Sequence, residues 1–301
     1  MNRSRVLRWG LLAAALLLLL AYAGASYVVA SGVTSDERGP LDDHPDNYDL
    51  EYLDVEFPSR VDKIPLRGWW IPGREPGPTI IMVHGITSNR ASDNALDIAL
   101  RLRDLGYNLL MFDQRAHGES GGERISGGFH ERRDLGGAID FLKSHGIPES
   151  SIGVLGMSMG AGTALLALPG EPGIMAAVLD SPYASADDLI AFEIARTTVF
   201  PEWAAPIFIP GAKVFARLLY GIDVNALTPE RAIAELDYPT LIIHGTADTR
   251  VPYSHGLRVH SAAPKGSVLW SLEDVGHVDA FAEEPDEYIR RLHDYFSPKL
   301  K

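Results

Sequence analysis

The sequence predicts an α/β fold: a mostly parallel central sheet with helices on both faces, a helical lid insertion and one transmembrane helix at the N-terminus. Three observations carry this. Short apolar runs alternate with helical stretches along most of the chain, the pattern of strands and crossover helices in a parallel sheet. The run Thr79-Ile-Ile-Met-Val83 is almost wholly apolar and ends in His84-Gly85, as expected of a strand covered on both faces. Finally, Gly156-Met-Ser158-Met-Gly160 joins the apolar run 152–155 to an Ala/Leu-rich stretch, 161–168, placing a serine on a sharp strand-to-helix turn.

The elements follow in order. Residues 51–57 and 66–71 read as a pair of early strands, and 79–83 as a central one. An amphipathic helix is expected over about 91–105, with Leu96, Ala99 and Leu100 marking its faces. The alternation continues with a strand at 108–112, a helix at 131–144, a strand at 152–155 bounded by Pro148-Glu-Ser-Ser151, a helix at 161–168 stopped by Pro169-Gly170, and a strand at 174–179. It breaks at about 184–220, where Leu189, Phe192, Phe200, Trp203, Phe208 and Phe215 crowd around three prolines. This segment reads as a lid, with an ordinary pair of core helices as the competing reading. Thr228-Pro229 then opens a helix as cap and first-turn residue. A strand at 239–243 ends in His244-Gly245, and a helix at 252–262, a strand at 267–272 and a helix at 285–296 complete the chain.

The N-terminus departs from globular composition. No charged residue occurs from Trp9 to Ser35, so residues 9–30 can cross roughly 30 Å of hydrocarbon as a helix. Arg3, Arg5 and Arg8 precede this stretch, and Asp36, Glu37, Asp42, Asp43, Asp46 and Asp49 follow it. That asymmetry predicts a cytoplasmic N-terminus over 1–8, a signal anchor over 9–30, a linker over 31–49 and an exported domain over 50–301. A removable signal peptide cut at Ala21-Tyr22-Ala23 is the rival reading. The anchor is preferred because the apolar stretch exceeds the ~7–15 residues of a signal-peptide core. Either reading exports the domain over 50–301, and the preferred anchor holds it at the cell membrane.

The chain lacks cysteine, which removes disulfides, thiol nucleophiles and thiolate metal sites from consideration. Its formal net charge of −13 offers no basic stripe to neutralise phosphates, so nucleic acid is a poor candidate partner. No H-E-x-x-H or similar ligand spacing occurs, and neither a metal nor another cofactor is expected.

A serine hydroxyl needs a base to become a nucleophile, and the base needs an acid to orient it. Where the serine sits on a turn of this kind, the acid and then the histidine follow it in the chain. Asp248, in Gly245-Thr-Ala-Asp248, and His277, in Gly276-His277, each fall just beyond a strand, at the sheet edge where α/β sites are built. Asp180, at the end of the strand after the serine, is the rival acid. Asp279 lies too close to His277 in sequence to orient it. His84 and His244 read as turn-shaping residues, and His145, His255, His260 and His293 as solvated positions on or near helices. An oxyanion needs two donors. The amide of Met159 is one, and that of Ile86 the other, with Thr87 as second choice.

The set His84-Gly85-Ile86, Asp113-Gln-Arg-Ala-His117-Gly118-Glu-Ser120, Gly156-Met-Ser158-Met-Gly160, Gly245-Thr-Ala-Asp248 and Gly276-His277 resembles the α/β-hydrolase superfamily. The likeness extends over about 51–296 and is greatest to membrane-anchored bacterial members related to serine aminopeptidases and to Bem46-like hydrolases. It implies a Ser158, His277 and Asp248 triad, oxyanion amides from Ile86 and Met159, and a structural role for Asp113, Arg115 and His117 beside the site. The expected activity is hydrolysis of an ester or thioester of a small, hydrophobic acyl substrate. Peptide or amide cleavage is the alternative within the enzyme class, and a catalytically silent binding protein the alternative outside it. The presence of serine rather than a carboxylate at position 158 argues against dehalogenation.

Overall fold

A computed structural model of the chain describes residues 3–35, 38–74 and 76–300. Met1 and Asn2 of the expected cytoplasmic segment, and Asp36 and Glu37 of its acidic counterpart, lie outside the described residues. The chain divides into two units, one of residues 1–35 with 187–225, the other of 36–186 with 226–301.

The larger unit is built on eight strands: β1 (Leu53–Pro58), β2 (Pro65–Ile71), β3 (Thr79–Val83), β4 (Asn108–Phe112), β5 (Ile152–Met157), β6 (Ala177–Asp180), β7 (Leu241–Gly245) and β8 (Val268–Leu272). They lie in the order β1-β2-β4-β3-β5-β6-β7-β8. β1 and β2, and β2 and β4, pair antiparallel, and all other neighbours are parallel. The predicted fold class is therefore the observed one.

The period-two geometry of a strand sends successive side chains to opposite faces, and these strands are apolar on both. Ile80 and Met82 of β3, Leu109 and Met111 of β4, and Leu155 and Met157 of β5 join one core cluster. Ile81 and Val83, Leu110 and Phe112, and Ile152 and Val154 join a second. Burying each such side chain stabilises the domain by roughly 1.5–3 kcal/mol, which is why both faces must be covered by helices.

Those helices, numbered along the chain after the N-terminal α1 (Arg3–Val33), begin with α2 (Ala95–Asp104), α3 (Arg132–Ser144) and α4 (Met159–Ala167). They continue with α5 (Ala186–Thr197), α6 (Ala205–Tyr220), α7 (Pro229–Ala232), α8 (Ser254–Ala262), α9 (Ala280–Glu283) and α10 (Pro285–Phe296). Ile98 and Leu102 of α2 and Leu292 and Phe296 of α10 enter the first cluster. Leu135 and Ile139 of α3, Ala161 and Leu165 of α4, and Val259 of α8 enter the second. Several boundaries differ from the expected ones by one to four residues, and two of these have a local reason. Helix α4 starts at Met159 rather than 161, because Ser158 itself supplies the turn. Strand β6 starts at Ala177 rather than 174, since the buried Ile174 belongs to the turn before it. Thr228 occupies the cap position of α7 without a side-chain capping bond.

In the smaller unit α1 is long and apolar enough to cross a membrane, by length and composition. The segment that broke the strand and helix rhythm supplies α5 and α6. A small cluster of Val29, Ala30, Ile194, Ala205 and Ala212 holds the unit together.

Candidate active site

The site is assembled at the C-terminal ends of the parallel strands, beginning at Ser158. This residue stands between β5 and α4 with φ 53° and ψ −118°, a conformation that side chains with a Cβ rarely adopt. The two flanking glycines allow it. A Cβ on Gly156 would lie 2.6 Å from the Gly160 carbonyl oxygen, and one on Gly160 would lie 2.0 Å from the oxygen of Val83. The clash expected of any side chain at these positions is thus real, and it arises from backbone that cannot swing aside. The Ser158 amide donates to the Asp180 carbonyl oxygen at 2.8 Å, extending the β5–β6 ladder into the turn.

His277 Nδ1 lies 2.7 Å from Asp248 Oδ2, and its Nε2 lies 2.8 Å from Ser158 Oγ. An ionised carboxylate can only accept, so Nδ1 carries the proton and Nε2 accepts from the serine hydroxyl. Asp248 is fixed in turn. Its Oδ1 accepts from the amides of Arg250 and Val251 at 2.9 and 2.8 Å. Burial alone raises the Asp248 carboxyl, but hydrogen bonds from His244, His277 and the Val251 amide overcome it and hold the group well below the usual carboxylate range. Asp248 is therefore charged at neutral pH.

The loops carrying these residues are bonded to each other. Ala247 donates to the Val275 carbonyl at 3.0 Å, and Asp274 donates to Thr246 Oγ1 at 3.0 Å. They approach so closely at Gly245 that a Cβ there would meet the Val275 oxygen at 2.2 Å. Val278 has φ 59° and donates to Ser181 Oγ at 3.2 Å. A β-branched residue at positive φ is a true outlier, and here it lies next to His277.

Asp180, the rival acid, is turned elsewhere. It accepts from Ser181 Oγ at 3.0 Å and from the Tyr288 hydroxyl at 3.0 Å, and burial pushes its carboxyl up to about 6. It braces the strand end beneath the histidine loop, whereas Asp248 bonds the ring. Asp279 heads α9 without a capping bond.

The expected oxyanion donors lie close by. Met159 begins α4, so its amide is one of the first-turn donors without an intrahelical acceptor. Met159 and Ile86 meet in one apolar cluster with Ala116 and Ile125. The Gly85 backbone abuts the serine, since a Cβ there would lie 3.2 Å from Ser158 Cβ. Thr87, the second choice, sits at φ 63°.

The histidines at the strand ends are more than turn formers. His84 Nδ1 donates to Gly85 O at 2.7 Å and its Nε2 accepts from the Gln114 amide at 3.0 Å. Burial, reinforced by His117, lowers it to about 3, so it is a neutral buried strut. His244 donates through Nε2 to Val251 O at 2.8 Å, and the same nitrogen is 3.3 Å from Asp248 Oδ2. His244 therefore holds the acid's loop, a role that its place before a glycine did not reveal. His255 is buried, against the expectation of solvation, and accepts the Ala184 amide on Nδ1 at 3.0 Å. The amphipathic reading of its helix could not show that it faces a loop from a distant part of the chain.

The loop after β4 is held by charge. Asp113 accepts from the Arg90 and Glu119 amides at 2.8 and 2.9 Å and pairs with the Arg90 guanidinium. Arg115 pairs with Asp134 and Asp62, each at 2.7 Å. Removing one partner of a buried pair of this kind costs about 3–5 kcal/mol, which accounts for their presence without a chemical role.

A mostly parallel sheet with this order, a serine on a strained turn after β5, and an acid and a histidine after the last two strands define an α/β hydrolase. The family described as serine aminopeptidase, S33, matches residues 74–228, and the chain belongs to it. The chain is 29% identical to YqkD of Bacillus subtilis over 76% of its own length and 74% of that protein's. It is 30% identical to YfhR of Escherichia coli O157:H7 over 82% and 80%, respectively. Among solved structures it is similar to the Pyrococcus furiosus esterase Pf2001, with a TM-score of 0.72 and 29% identity over 89% of this chain and 98% of that one.

Proposed function

We propose that the protein is a serine hydrolase that cleaves carboxylic esters or thioesters through an acyl-enzyme on Ser158. The observation that carries this reading is the continuous hydrogen-bonded relay from Ser158 Oγ through His277 to Asp248. In the first half-reaction Oγ attacks the acyl carbon while His277 Nε2 takes its proton. The oxygen of the resulting tetrahedral intermediate faces the amides of Met159 and Ile86, and its negative charge is favoured by the N-terminus of α4. Collapse of the intermediate expels the leaving group, which takes the proton from His277. A water, deprotonated by the same nitrogen, then attacks the acyl carbon, and collapse of the second tetrahedral intermediate breaks the bond to Ser158 Oγ, which takes the proton back from Nε2 as the carboxylic acid leaves. Asp248 remains charged throughout and stabilises the imidazolium formed in both halves.

The apolar cluster of Ala116, Ile125 and Met159 with Ile86 supports a hydrophobic acyl group, and the likeness to an esterase supports ester over amide. The family description favours a second reading, aminopeptidase or amidase activity at the same serine. We place the hydrolase unit outside the cytoplasm, anchored by α1, on the charge asymmetry around that helix. Protease added to intact cells then degrades the hydrolase unit, and its survival would refute this orientation.

Fluorophosphonate labelling of the full chain tests the chemistry. Wild type is expected to label and Ser158→Ala to fail. Equal labelling of both would assign the nucleophile to another residue, and labelling of neither would favour the silent binding protein; either outcome refutes the mechanism on Ser158. Chain-length series of esters and matched peptide substrates separate esterase from peptidase.

A further inference from the structure

The insertion between β6 and β7 presents an apolar surface that, among the described residues, its own unit leaves uncovered. Val199, Trp203, Ile207, Val214 and Leu218 are 89%, 80%, 56%, 55% and 75% exposed. Scattered apolar side chains on a surface need no explanation, but a contiguous set does. Helix α6 carries three of these five, and α1 packs along a neighbouring face through Phe208, Gly211 and Phe215.

Helix α6 follows α1 in the same direction. The Phe208 ring stacks on Tyr22 at 6.3 Å, the Gly211 amide donates to the Tyr22 hydroxyl at 3.2 Å, Phe215 meets Tyr27 at 6.0 Å, and Tyr220 bonds Ser31 at 2.6 Å. Small residues make the close approach: a Cβ on Gly211 would lie 2.2 Å from Ser26 Oγ, and Ala30, Ala205 and Ala212 share one cluster. Helices embedded in lipid associate through such contacts, since acyl chains give no hydrophobic incentive to pack.

The level of these contacts along α1 identifies the occupant. Tyr22 lies within the apolar stretch expected to cross the bilayer, eight residues before Ala30, or about 12 Å at the rise of an α-helix. Charge along the insertion is graded in the same sense. Residues 197–212 contain one charged residue, Glu202, against six large apolar ones, Val199, Phe200, Trp203, Ile207, Phe208 and Ile209. Lys213 and Arg217 come only in the second half of α6, towards the exported end, and pair with Asp187 at 2.6 Å and Asp223 at 3.6 Å.

We propose that the exposed face of α6, with the turn before it, lies among the lipid acyl chains of the exported leaflet, beside the anchor. The occupant is the same bilayer that α1 crosses, and the inference rests on the reading of α1 as a membrane span. Within the smaller unit, α1 then crosses the bilayer and α6 dips into one leaflet.

The absence of cysteine makes the test direct. The full chain is labelled with an environment-sensitive fluorophore at one site, using Leu16→Cys in α1, Ile207→Cys or Leu218→Cys in α6, or Val61→Cys in the hydrolase unit. Each variant is reconstituted into phosphatidylcholine vesicles carrying nitroxide on the acyl chains. The expected result is strong loss of emission at 207, as at 16, a smaller loss at 218 near the outer end of the span, and emission at 61 retained. Loss at 16 alone would overturn the proposal and leave the anchor standing. No loss at 16 would overturn the anchor, and the proposal with it. Protection at 207 or 218 that follows protein-to-lipid ratio without nitroxide quenching would assign the face to a second copy of the chain and also overturn the proposal.

Discussion

Asp248 Oδ2 lies 2.7 Å from His277 Nδ1, although the two residues come from loops after different strands. This bond sets the histidine tautomer, leaving Nε2 free to accept the Ser158 proton. Asp248→Asn is expected to lower kcat by about 10⁴-fold, because an amide at this position favours the wrong tautomer. Steady-state kinetics on a short-chain ester checks this, with circular dichroism to establish that the variant folds. A rate near that of wild type would return the role of orienting acid to Asp180.

His244 supports that acid from the other side. Replacing it by leucine leaves the Val251 carbonyl without its donor and removes a contact from Asp248. An unsatisfied buried acceptor costs about 1–3 kcal/mol, so His244→Leu is expected to unfold at lower urea concentration than wild type. A lower kcat with little change in KM should accompany this, since the residue is remote from substrate. Restored stability and rate in His244→Gln, which keeps a donor, would support the hydrogen bond rather than ring packing as the cause.

Gly245→Ala tests how closely the acid and histidine loops must approach. The added methyl meets the Val275 carbonyl oxygen at 2.2 Å, and the neighbour is backbone, so the loops must separate. Overpacking of this kind costs about 1–3 kcal/mol, and kcat is expected to fall more than stability. Thermal unfolding and ester kinetics on one preparation read both.

Asp180 gives a pH dependence of defined sign. Its carboxyl is raised in the folded state to about 6 from 3.8. The contribution is therefore fully present below about pH 3.8 and lost as pH rises through about 6. Asp180→Asn removes the titration, so wild type should lose stability relative to the variant across that interval, by about 3 kcal/mol at most. Urea unfolding at pH 4 and pH 7 measures the difference. A gap between the two proteins that does not change with pH would refute the raised carboxyl.

Much of the candidate site was legible because its signals are local. The glycines around Ser158 answer to backbone a few residues away in α4 and one strand over in β3. The His-Gly ends of β3 and β7 likewise mark where chain leaves the sheet. The positions of Asp248 and His277 followed from strand order, since residues just past parallel strands share one edge. Asp248 was preferred to Asp180 from chain order, but the contact behind that choice is not local. It depends on which carboxylate the histidine loop faces, and that loop is held by Val278 at positive φ and by the bond to Ser181.

By itself the sequence determined the element types, the parallel sheet and the turn that presents Ser158, because periodicity, apolar runs and glycine sterics act over a few residues. Tertiary structure alone decided that His244 braces Asp248, that His255 is buried, and that the apolar insertion packs on α1 nearly 200 residues earlier in the chain. Those outcomes rest on contacts between segments far apart in sequence, and burial and hydrogen-bond partners exist only once such segments meet.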